Sequence, residues 1–355
     1  MSFPGRLHRL AVALAVLACA ACAPTSSAPA NPPVKPAATQ SQWYEPARKE
    51  GALIVYGIGG EAFAPLKKGF EARYPGITAE GVDQSGQQTR EKVIAESAAK
   101  QIRADVASAG GTSFTEMVKS GVIEAYQSPE ASHLVPELVD PRGFLIPRIV
   151  NSYGITVNTS VVKPEDEPKS WKDLLDPKWK GKKIAMGDPR GSGSGGTILY
   201  GLEKVFGPEF VQQLAAQDIF FGRENAALVS TVVRGEQSIL LTASSRNIVE
   251  QRTKGAPIKF IKPVEGVAIT PINIGVVKDA PHINAARLFV DWVLSEEGQA
   301  ASAEAGDPPA RQGARAAYPE SDLTGVKILP RDDAESGTQA EVDRMQAWAK
   351  LFFGN

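Results

Sequence analysis

Cysteine and histidine are scarce in this chain of 355 residues. Its two cysteines, Cys19 and Cys22, both lie before residue 23, so the rest of the chain offers none for a disulfide. The three histidines are His8, His133 and His282, and no set of cysteines and histidines has the spacing of zinc ligands. The scarcity of cysteine excludes a disulfide framework, and together with the scarcity of histidine it argues against a zinc site. Few histidines remain that could serve as the base of a nucleophilic enzyme.

The chain also has no marked excess of positively or negatively charged residues. The chain has 39 Lys and Arg against 40 Asp and Glu, which gives a formal net charge of −1. A protein that binds nucleic acid by releasing counterions needs a strong basic excess, so this balance excludes that class. With 43% hydrophobic and 22% charged residues, the composition is typical of a soluble globular protein. The length fits two domains of roughly 150 residues each.

The first residues have the pattern of a secretory signal peptide, which we place at residues 1–21. Arg6 and Arg9 precede an apolar run, Leu10–Ala18, that is too short to span a membrane. The run ends in alanines and cysteines, which resembles a bacterial lipoprotein signal, where a lipidated cysteine becomes the first residue of the mature protein. We expect lipidation at Cys22, with Cys19 as the alternative. A plain signal peptide cleaved after an alanine is the other alternative.

Residues 22–44 are predicted to be a disordered tether. Ala23–Gln42 contains five prolines, one charged residue (Lys35) and almost nothing that could build a core. Such a tether would keep the folded body near a membrane while allowing it to move. No apolar run of 18 or more residues follows, so the sequence predicts attachment through the lipid alone.

From Trp43 onward, short apolar runs alternate with segments of helical period, which indicates an α/β fold. Three predicted strands, Leu53–Tyr56, Ile77–Val82 and Asp105–Ala109, are each followed by a polar turn that contains glycine. Ligands of open α/β sheets lie at the carboxyl ends of the strands, so we expect these turns to converge on a ligand. The candidate ligand-binding residues of the three turns are Gly57, Ile58, Gly59, Gly60, Ser85, Gly86, Gln87, Gly110, Gly111 and Thr112.

A serine- and glycine-rich stretch, Asp188–Thr197 (DPRGSGSGGT), follows a fourth predicted strand, Ile184–Met186, and opens a helix. The free N–H groups of a first helical turn, the hydroxyl groups and the helix dipole together suit a phosphate, phosphonate or carboxylate. A well-capped helix without a ligand is the alternative, because serine and threonine cap helices in any protein. The candidate ligand-binding residues here are Ser192, Gly193, Ser194, Gly195 and Thr197.

The same glycines also fit the G-x-G-x-x-G pattern of dinucleotide-binding proteins. Gly191, Gly193 and Gly196 have that spacing, but no clear acidic residue ends a second strand about 20 residues further on, which weakens this interpretation. A P-loop is excluded because no lysine follows the glycines.

A fifth predicted strand, Ile239–Thr242, leads into Ser244, Ser245 and Arg246. A guanidinium at the end of a strand can hold an anion through two parallel hydrogen bonds, and a solvated surface arginine is the alternative. Asn273, within the strand predicted over Val267–Val277, completes the candidate ligand-binding residues.

Several segments resemble the substrate-binding components of ABC importers. More specifically, they resemble the periplasmic group that includes ferric-ion-binding proteins and relatives that bind phosphorylated or phosphonate solutes. The matching segments run through nearly all of residues 45–355 and are Gly51–Gly57 (GALIVYG), Phe70–Ile77 (FEARYPGI), Ser152–Asn158 (SYGITVN), Ser170–Gly181 (SWKDLLDPKWKG), Ile184–Gly195 (IAMGDPRGSGSG) and Leu294–Gln299 (LSEEGQ).

The resemblance implies a two-lobe α/β fold of type II, the Venus-flytrap architecture, with two crossing hinge strands near Tyr153–Asn158 and Ala268–Asn273. Residues 45–154 would form the first lobe and residues 155–272 the second, and residues 273–355 would return to the first lobe with the C-terminal helices. Ligand binding in the cleft would close the hinge, and the closed form would dock on an ABC permease.

The expected function is that of an exported, lipid-anchored solute receptor, periplasmic or at the cell surface, which binds a small anion without chemical change. We expect a monomer that uses no cofactor or metal and binds no nucleic acid. A secreted enzyme and a sensor input on the same fold are the alternatives.

Ferric iron is the alternative ligand. The ferric-binding members of the group carry adjacent tyrosines after the strand that corresponds to Ile239–Thr242, whereas the matching stretch here is Ala243–Asn247 (ASSRN). Fe(III) requires anionic oxygen ligands, so hydroxyl groups and a guanidinium favour an organic anion. Glu61 and Asp83 leave neutral or cationic ligands open.

Overall fold

Two five-stranded sheets form the centre of the protein. The computed structural model describes residues 38–190, 193–331 and 338–354, which belong to one compact unit that spans residues 36–355. Within them the strands are β1 (Ala52–Tyr56), β2 (Thr78–Val82), β3 (Val106–Gly110), β4 (Ile146–Tyr153), β5 (Ile155–Asn158), β6 (Ile184–Gly187), β7 (Phe220–Gly222), β8 (Ile239–Leu240), β9 (Ile258–Ile261) and β10 (Ala268–Val276). The α-helices are α1 (Ala38–Glu50), α2 (Gly60–Arg73), α3 (Gly86–Ala98), α4 (Gly111–Lys119), α5 (Gly193–Phe206), α6 (Pro208–Ala215), α7 (Asn225–Val233), α8 (Ser245–Thr253), α9 (Ile283–Leu294), α10 (Glu296–Glu304) and α11 (Gln339–Phe353).

The two sheets follow one plan. In the first sheet β2, β1 and β3 are parallel neighbours, and β10 and β4 continue the sheet in antiparallel pairs. In the second sheet β7, β6 and β8 are parallel neighbours, and β5 and β9 continue it in antiparallel pairs. Each sheet has its own hydrophobic core, so the predicted α/β fold with two lobes is confirmed.

The lobes are joined by crossing strands. β4 of the first sheet continues through Gly154 into β5 of the second sheet, and β10 runs beside β4 from Ala268, opposite Tyr153. Position 154 requires glycine because a Cβ atom there would lie 2.3 Å from the carbonyl oxygen of Ile261. The two predicted crossing strands are therefore present.

The folded body begins earlier than the sequence predicts, because α1 starts at Ala38, inside the expected tether. Trp43 and Tyr44 pack against the core of the first lobe. The Glu50 carboxylate accepts a 2.9 Å hydrogen bond from the N–H of Ala285, at the start of α9. These tertiary contacts stabilise a helix whose own sequence has no marked apolar face, which explains why its pattern resembled a tether.

The C-terminal helix corrects another expectation, since α11 packs on the second lobe and not on the first. Trp348 is buried in the second core and donates a 2.8 Å hydrogen bond from Nε1 to Glu203 on α5. Leu329, upstream of α11, already lies in that core, so the chain has returned to the second lobe before the helix begins. Among the helices of the described segments, none has both the length and the hydropathy that a membrane span requires.

Candidate functional site

In the first lobe three helices begin at one edge of the sheet. α2, α3 and α4 follow β1, β2 and β3, and those strands are parallel neighbours. The turns contact one another closely: a Cβ atom on Gly57 would lie 2.0 Å from the carbonyl oxygen of Ser108, and one on Gly59 would lie 2.2 Å from the amide nitrogen of Asp83. Three helix N-termini with their free N–H groups therefore lie side by side.

The predicted residues of these turns have different surroundings. Ser85 caps α3, where its hydroxyl accepts a 3.2 Å hydrogen bond from the Gln88 amide. The Gln87 side chain donates to Glu91 on the same helix. Ile58 is buried in the first core, so its backbone alone is available at the turn. The predicted turn residues that are exposed are Gly60, Ser85, Gln87, Gly111 and Thr112.

The second lobe repeats this arrangement. α7, α5 and α8 begin after β7, β6 and β8, which are also parallel neighbours. Side chains connect the three turns: the Gly187 amide donates to Thr242 Oγ1 at 2.9 Å, and Asn225 Nδ2 donates to Ser194 Oγ at 3.3 Å. The serine-glycine stretch and the turn before Arg246 thus belong to one edge, opposite the N-termini of the first lobe across the crossing strands.

The described part of the serine-glycine stretch forms the first turn of α5. Gly191 and the predicted ligand-binding residue Ser192 lie outside the described residues. Ser194 is buried, and the Thr197 hydroxyl donates 2.7 Å to the Gly193 carbonyl of its own helix. A Cβ atom on Gly195 would lie 2.7 Å from the Gly187 carbonyl, so glycine permits the close approach of this turn to β6.

Asp188 and Arg190 neutralise each other on the same loop. Arg190 donates from Nε and Nη2 to the two carboxylate oxygens at 3.0 and 2.7 Å, and these bonds hold the pKa of Asp188 below its usual range. The Arg190 guanidinium also stacks on Phe353, 3.9 Å from the ring centre, at the end of α11. Arg190 is therefore already engaged, and the net charge of the loop is small.

The first turn of α8 carries the predicted serines and arginine. Ser244 caps the helix by accepting a 3.2 Å hydrogen bond from the Asn247 amide. Ser245 is fully buried, and its hydroxyl has no hydrogen-bond partner among the described residues. Arg246 Nε lies 2.6 Å from Asp307 Oδ1, and 30% of the Arg246 side chain is exposed. Arg246 is thus ion-paired and partly accessible, and it is not a solvated surface arginine.

The crossing strands lie between the two edges. Along β10, Ala268 pairs with Tyr153, which contacts Ser244, and Asn273 pairs with Ala109. Five residues of extended strand span about 17 Å, which is the separation of the two edges along this strand. Across the gap, Glu61 near the start of α2 lies 3.8 Å from Lys254 at the end of α8.

Two buried amide oxygens on the crossing strands could serve a ligand. The Oδ1 atoms of Asn151 and Asn273 are buried, and neither has a hydrogen-bond partner in the part of the chain that the structure describes. Buried polar atoms are almost always paired, so these two oxygens are candidates for ligand contact. The unpaired oxygens support Asn273 as a candidate ligand-binding residue and make Asn151 a second candidate on the crossing strands.

Sequence reasoning missed several residues of this region. These residues are Arg148, Asn151, Asn225, Thr242 and Asp307. They come together only in the folded protein, so no spacing or motif in the sequence could have indicated them.

A ferric site would need anionic oxygen ligands. Tyr153 contributes a phenol at the hinge, and burial raises its pKa to about 12. Within residues 38–190, 193–331 and 338–354, no group of three or more His, Cys, Asp or Glu residues could hold a metal ion. The predicted residues described at this edge offer hydroxyl and guanidinium groups, and the carboxylates of Asp188 and Asp307 pair with arginines.

Two relatives illustrate the sequence similarity. A protein of Haemophilus influenzae named "Uncharacterized protein" is 30% identical over 198 residues, which cover 53% of this chain and 57% of that protein. The aligned part is therefore less than two thirds of that relative. A Salmonella paratyphi A protein named "Putative 2-aminoethylphosphonate-binding periplasmic protein" is 22% identical over 319 residues, which cover 85% of this chain and 88% of that protein.

Solved structures share the architecture. The periplasmic binding protein P5PA is 25% identical with a TM-score of 0.66, and the match covers 85% of this chain and 99% of P5PA. The periplasmic binding protein AfuA from Actinobacillus pleuropneumoniae, solved with fructose 6-phosphate bound, is 26% identical with a TM-score of 0.67. That match covers 85% of this chain and 98% of AfuA.

The fold is thus that of a type II periplasmic binding protein, in which two lobes are joined by crossing strands. The family description "Bacterial extracellular solute-binding protein" matches residues 103–336, which is more than half of the chain. Together with the shared architecture, this match shows that the chain belongs to the family of bacterial extracellular solute-binding proteins, whose members include the periplasmic binding proteins of ABC importers.

Proposed function

We propose that this protein is the receptor of an ABC importer for a small organic anion that carries a phosphate or phosphonate group. The protein would bind its ligand between the lobes without changing it chemically. One observation carries the proposal: α5, α7 and α8 begin together at the carboxyl edge of the second sheet, with the partly exposed Arg246 in the first turn of α8. Helix N-termini and a guanidinium are the groups that proteins use to hold phosphate oxygens.

The first lobe would complete the site. The turns at Gly57, Ser85 and Gly110 present backbone N–H groups, and Asn151 and Asn273 present amide groups from the crossing strands. A ligand that touches both edges does so only when the lobes are close together, so binding would favour the closed form and its docking on a permease. The names of the Salmonella relative and of the AfuA structure support this ligand class.

The lobe boundaries proposed here are residues 45–154 and 155–272, with a return to the first lobe from residue 273 and α11 placed on the second lobe. Lipid anchoring at Cys22, or at Cys19, belongs to the same proposal. Both cysteines lie outside the described residues, so the pattern of the sequence alone supports the anchor and the export that it implies.

Replacement of Arg246 tests the anion site. In isothermal titration calorimetry with fructose 6-phosphate and 2-aminoethylphosphonate, we expect Arg246→Gln to weaken binding about 10- to 100-fold, the usual loss for a charge-assisted hydrogen bond. Arg234→Gln is the matched control, because Arg234 is exposed, pairs with Glu236 and lies after α7, away from the edge. Equal affinities of the natural chain and Arg246→Gln for a bound anion would contradict the assigned site.

A further inference from the structure

A buried cluster of two arginines and one aspartate lies beside the crossing strands. Asp307 is fully buried, and its two carboxylate oxygens face different guanidinium groups. Arg148 Nη1 donates a 2.7 Å hydrogen bond to Oδ2, and Arg246 Nε lies 2.6 Å from Oδ1. Arg148 is on β4 and Arg246 lies in the first turn of α8, so the cluster connects a crossing strand to the proposed anion site.

The two arginines and Asp307 together carry a net charge of +1. Guanidinium groups stay protonated at any physiological pH, and two of them share a single carboxylate here. The neighbouring charges do not correct the imbalance, because they pair with each other: Arg252 with Glu320, and Arg311 with Glu130. The excess charge lies on Arg246, whose side chain is 30% exposed, so the region attracts an anion from the solvent side.

The two arginines contact Asp307 in different ways. The Arg148 contact is a directed hydrogen bond, and the Arg148 side chain is only 5% exposed. The Arg246 contact is an ion pair in which the Nε–H bond is not directed at the oxygen. Within the described segments, the outer nitrogens of Arg246 make no hydrogen bond to another residue. Arg148 is therefore the hydrogen-bond donor to Oδ2 of Asp307, and the outer nitrogens of Arg246 remain available to a ligand.

Local structure fixes Arg148 and Asp307 in place. The register of β4 against β10 shifts between Ile272 and Asn273, and Arg148 is the residue of β4 that the shift leaves without a partner. Irregularities of this kind redirect a side chain. Gln299 donates a 2.9 Å hydrogen bond to the Arg148 carbonyl, and the Asp307 amide donates to Ser302 at 3.1 Å.

We infer that Arg148 is a positioning residue of the anion site: it takes up the charge of Asp307 so that Arg246 presents a full positive charge to the ligand. This inference rests on the proposed function. Arg148 itself need not touch the ligand, because it acts through the carboxylate that it shares with Arg246. Removal of Arg148 would leave a neutral pair of Asp307 and Arg246 at the edge of the cleft.

Charge-changing variants test the inference, with fructose 6-phosphate, 2-aminoethylphosphonate and inorganic phosphate as probes in isothermal titration calorimetry. Arg148→Gln is expected to weaken binding about tenfold or more, because the cluster becomes neutral. The double variant R148Q/D307N restores one uncompensated positive charge and is expected to bind within about threefold of the natural chain. Arg148→Lys keeps the charge and is expected to do the same.

Each outcome decides one claim. If R148Q/D307N binds as weakly as Arg148→Gln, or if Arg148→Gln binds as tightly as the natural chain, the inference is overturned. If the natural chain binds none of the three probes, the proposed function fails first and the inference with it. Thermal unfolding without ligand shows which variants are folded. If Arg148→Gln does not fold, Arg148→Lys and the double variant still test the claim, and weak binding by both would overturn it.

Discussion

At the scale of single residues, close approach of the backbone determines the shape of the site. Gly57 has φ of +83°, and a Cβ atom there would lie 2.0 Å from the Ser108 carbonyl oxygen. The turn after β1 can therefore reach the turn after β3 only if position 57 has no side chain. The sequence placed glycine in this turn but could not show what the glycine approaches, since Ser108 lies 51 residues further along.

The substitution Gly57→Ala is expected to lower the free energy of unfolding by about 2–4 kcal/mol, because it adds a steric clash to a strained backbone. Gly121→Ala is the matched control: Gly121 has φ of +71°, and a Cβ atom there would meet nothing within 4 Å. The control should lose only about 1 kcal/mol, the cost of the left-handed backbone alone. Urea denaturation of both variants measures the difference in their free energies of unfolding. Equal losses of stability would show that the contact between Gly57 and the Ser108 carbonyl does not matter.

At the scale of elements, the sequence predicted those that have clear periodicity. The strands near Leu53, Ile77 and Ile184 and the helix that contains Phe289 and Trp292 occur where the apolar pattern placed them. The limits of α1 and the packing of α11 could not be predicted, because both depend on contacts with distant segments. The same holds for the candidate site: turns were found from local composition, whereas the Arg148–Asp307–Arg246 cluster depends on tertiary structure.

Helix α9 carries a buried carboxylate that makes stability depend on pH. Asp291 is fully buried, and Ser128 and Tyr126 donate hydrogen bonds to its oxygens at 2.7 and 2.9 Å. Burial raises the pKa of Asp291 to about 6, and these two hydrogen bonds oppose the rise without cancelling it. The folded state therefore binds the proton more tightly than the unfolded chain, whose carboxyl has its ordinary pKa of 3.8.

Protonated Asp291 contributes to the free energy of unfolding. This stabilisation is fully present below pH 3.8 and is lost as the pH rises through about 6. Asp291→Asn cannot titrate, so its free energy of unfolding should rise relative to the natural chain by about 2 kcal/mol between pH 4 and pH 7. Chemical denaturation at both pH values measures this change, with the exposed Glu304→Gln as control. A difference between Asp291→Asn and the natural chain that does not vary with pH would contradict the prediction.

At the scale of the whole molecule, the two sheets present equivalent edges. Each lobe places the N-termini of three helices at the carboxyl ends of parallel strands, and the crossing strands hold these edges about 17 Å apart along β10. A small anion would reach backbone N–H groups of both lobes only when the lobes close and bring the two edges nearer to each other. The second lobe carries the positive charge of Arg246, so we expect the anion to bind to that lobe first. The first lobe is then expected to close over the bound ligand.

The ligand class is tested most directly by thermal unfolding of the purified protein with a panel of solutes. The panel contains sugar phosphates, phosphonates, carboxylates, polyamines and ferric iron with carbonate. A ligand at 100 times its Kd stabilises the folded state by about 2.7 kcal/mol, which raises the melting temperature by several degrees. We expect this rise with phosphorylated or phosphonate compounds and not with ferric iron. A rise with ferric iron alone would contradict the assignment of an organic anion to the cleft.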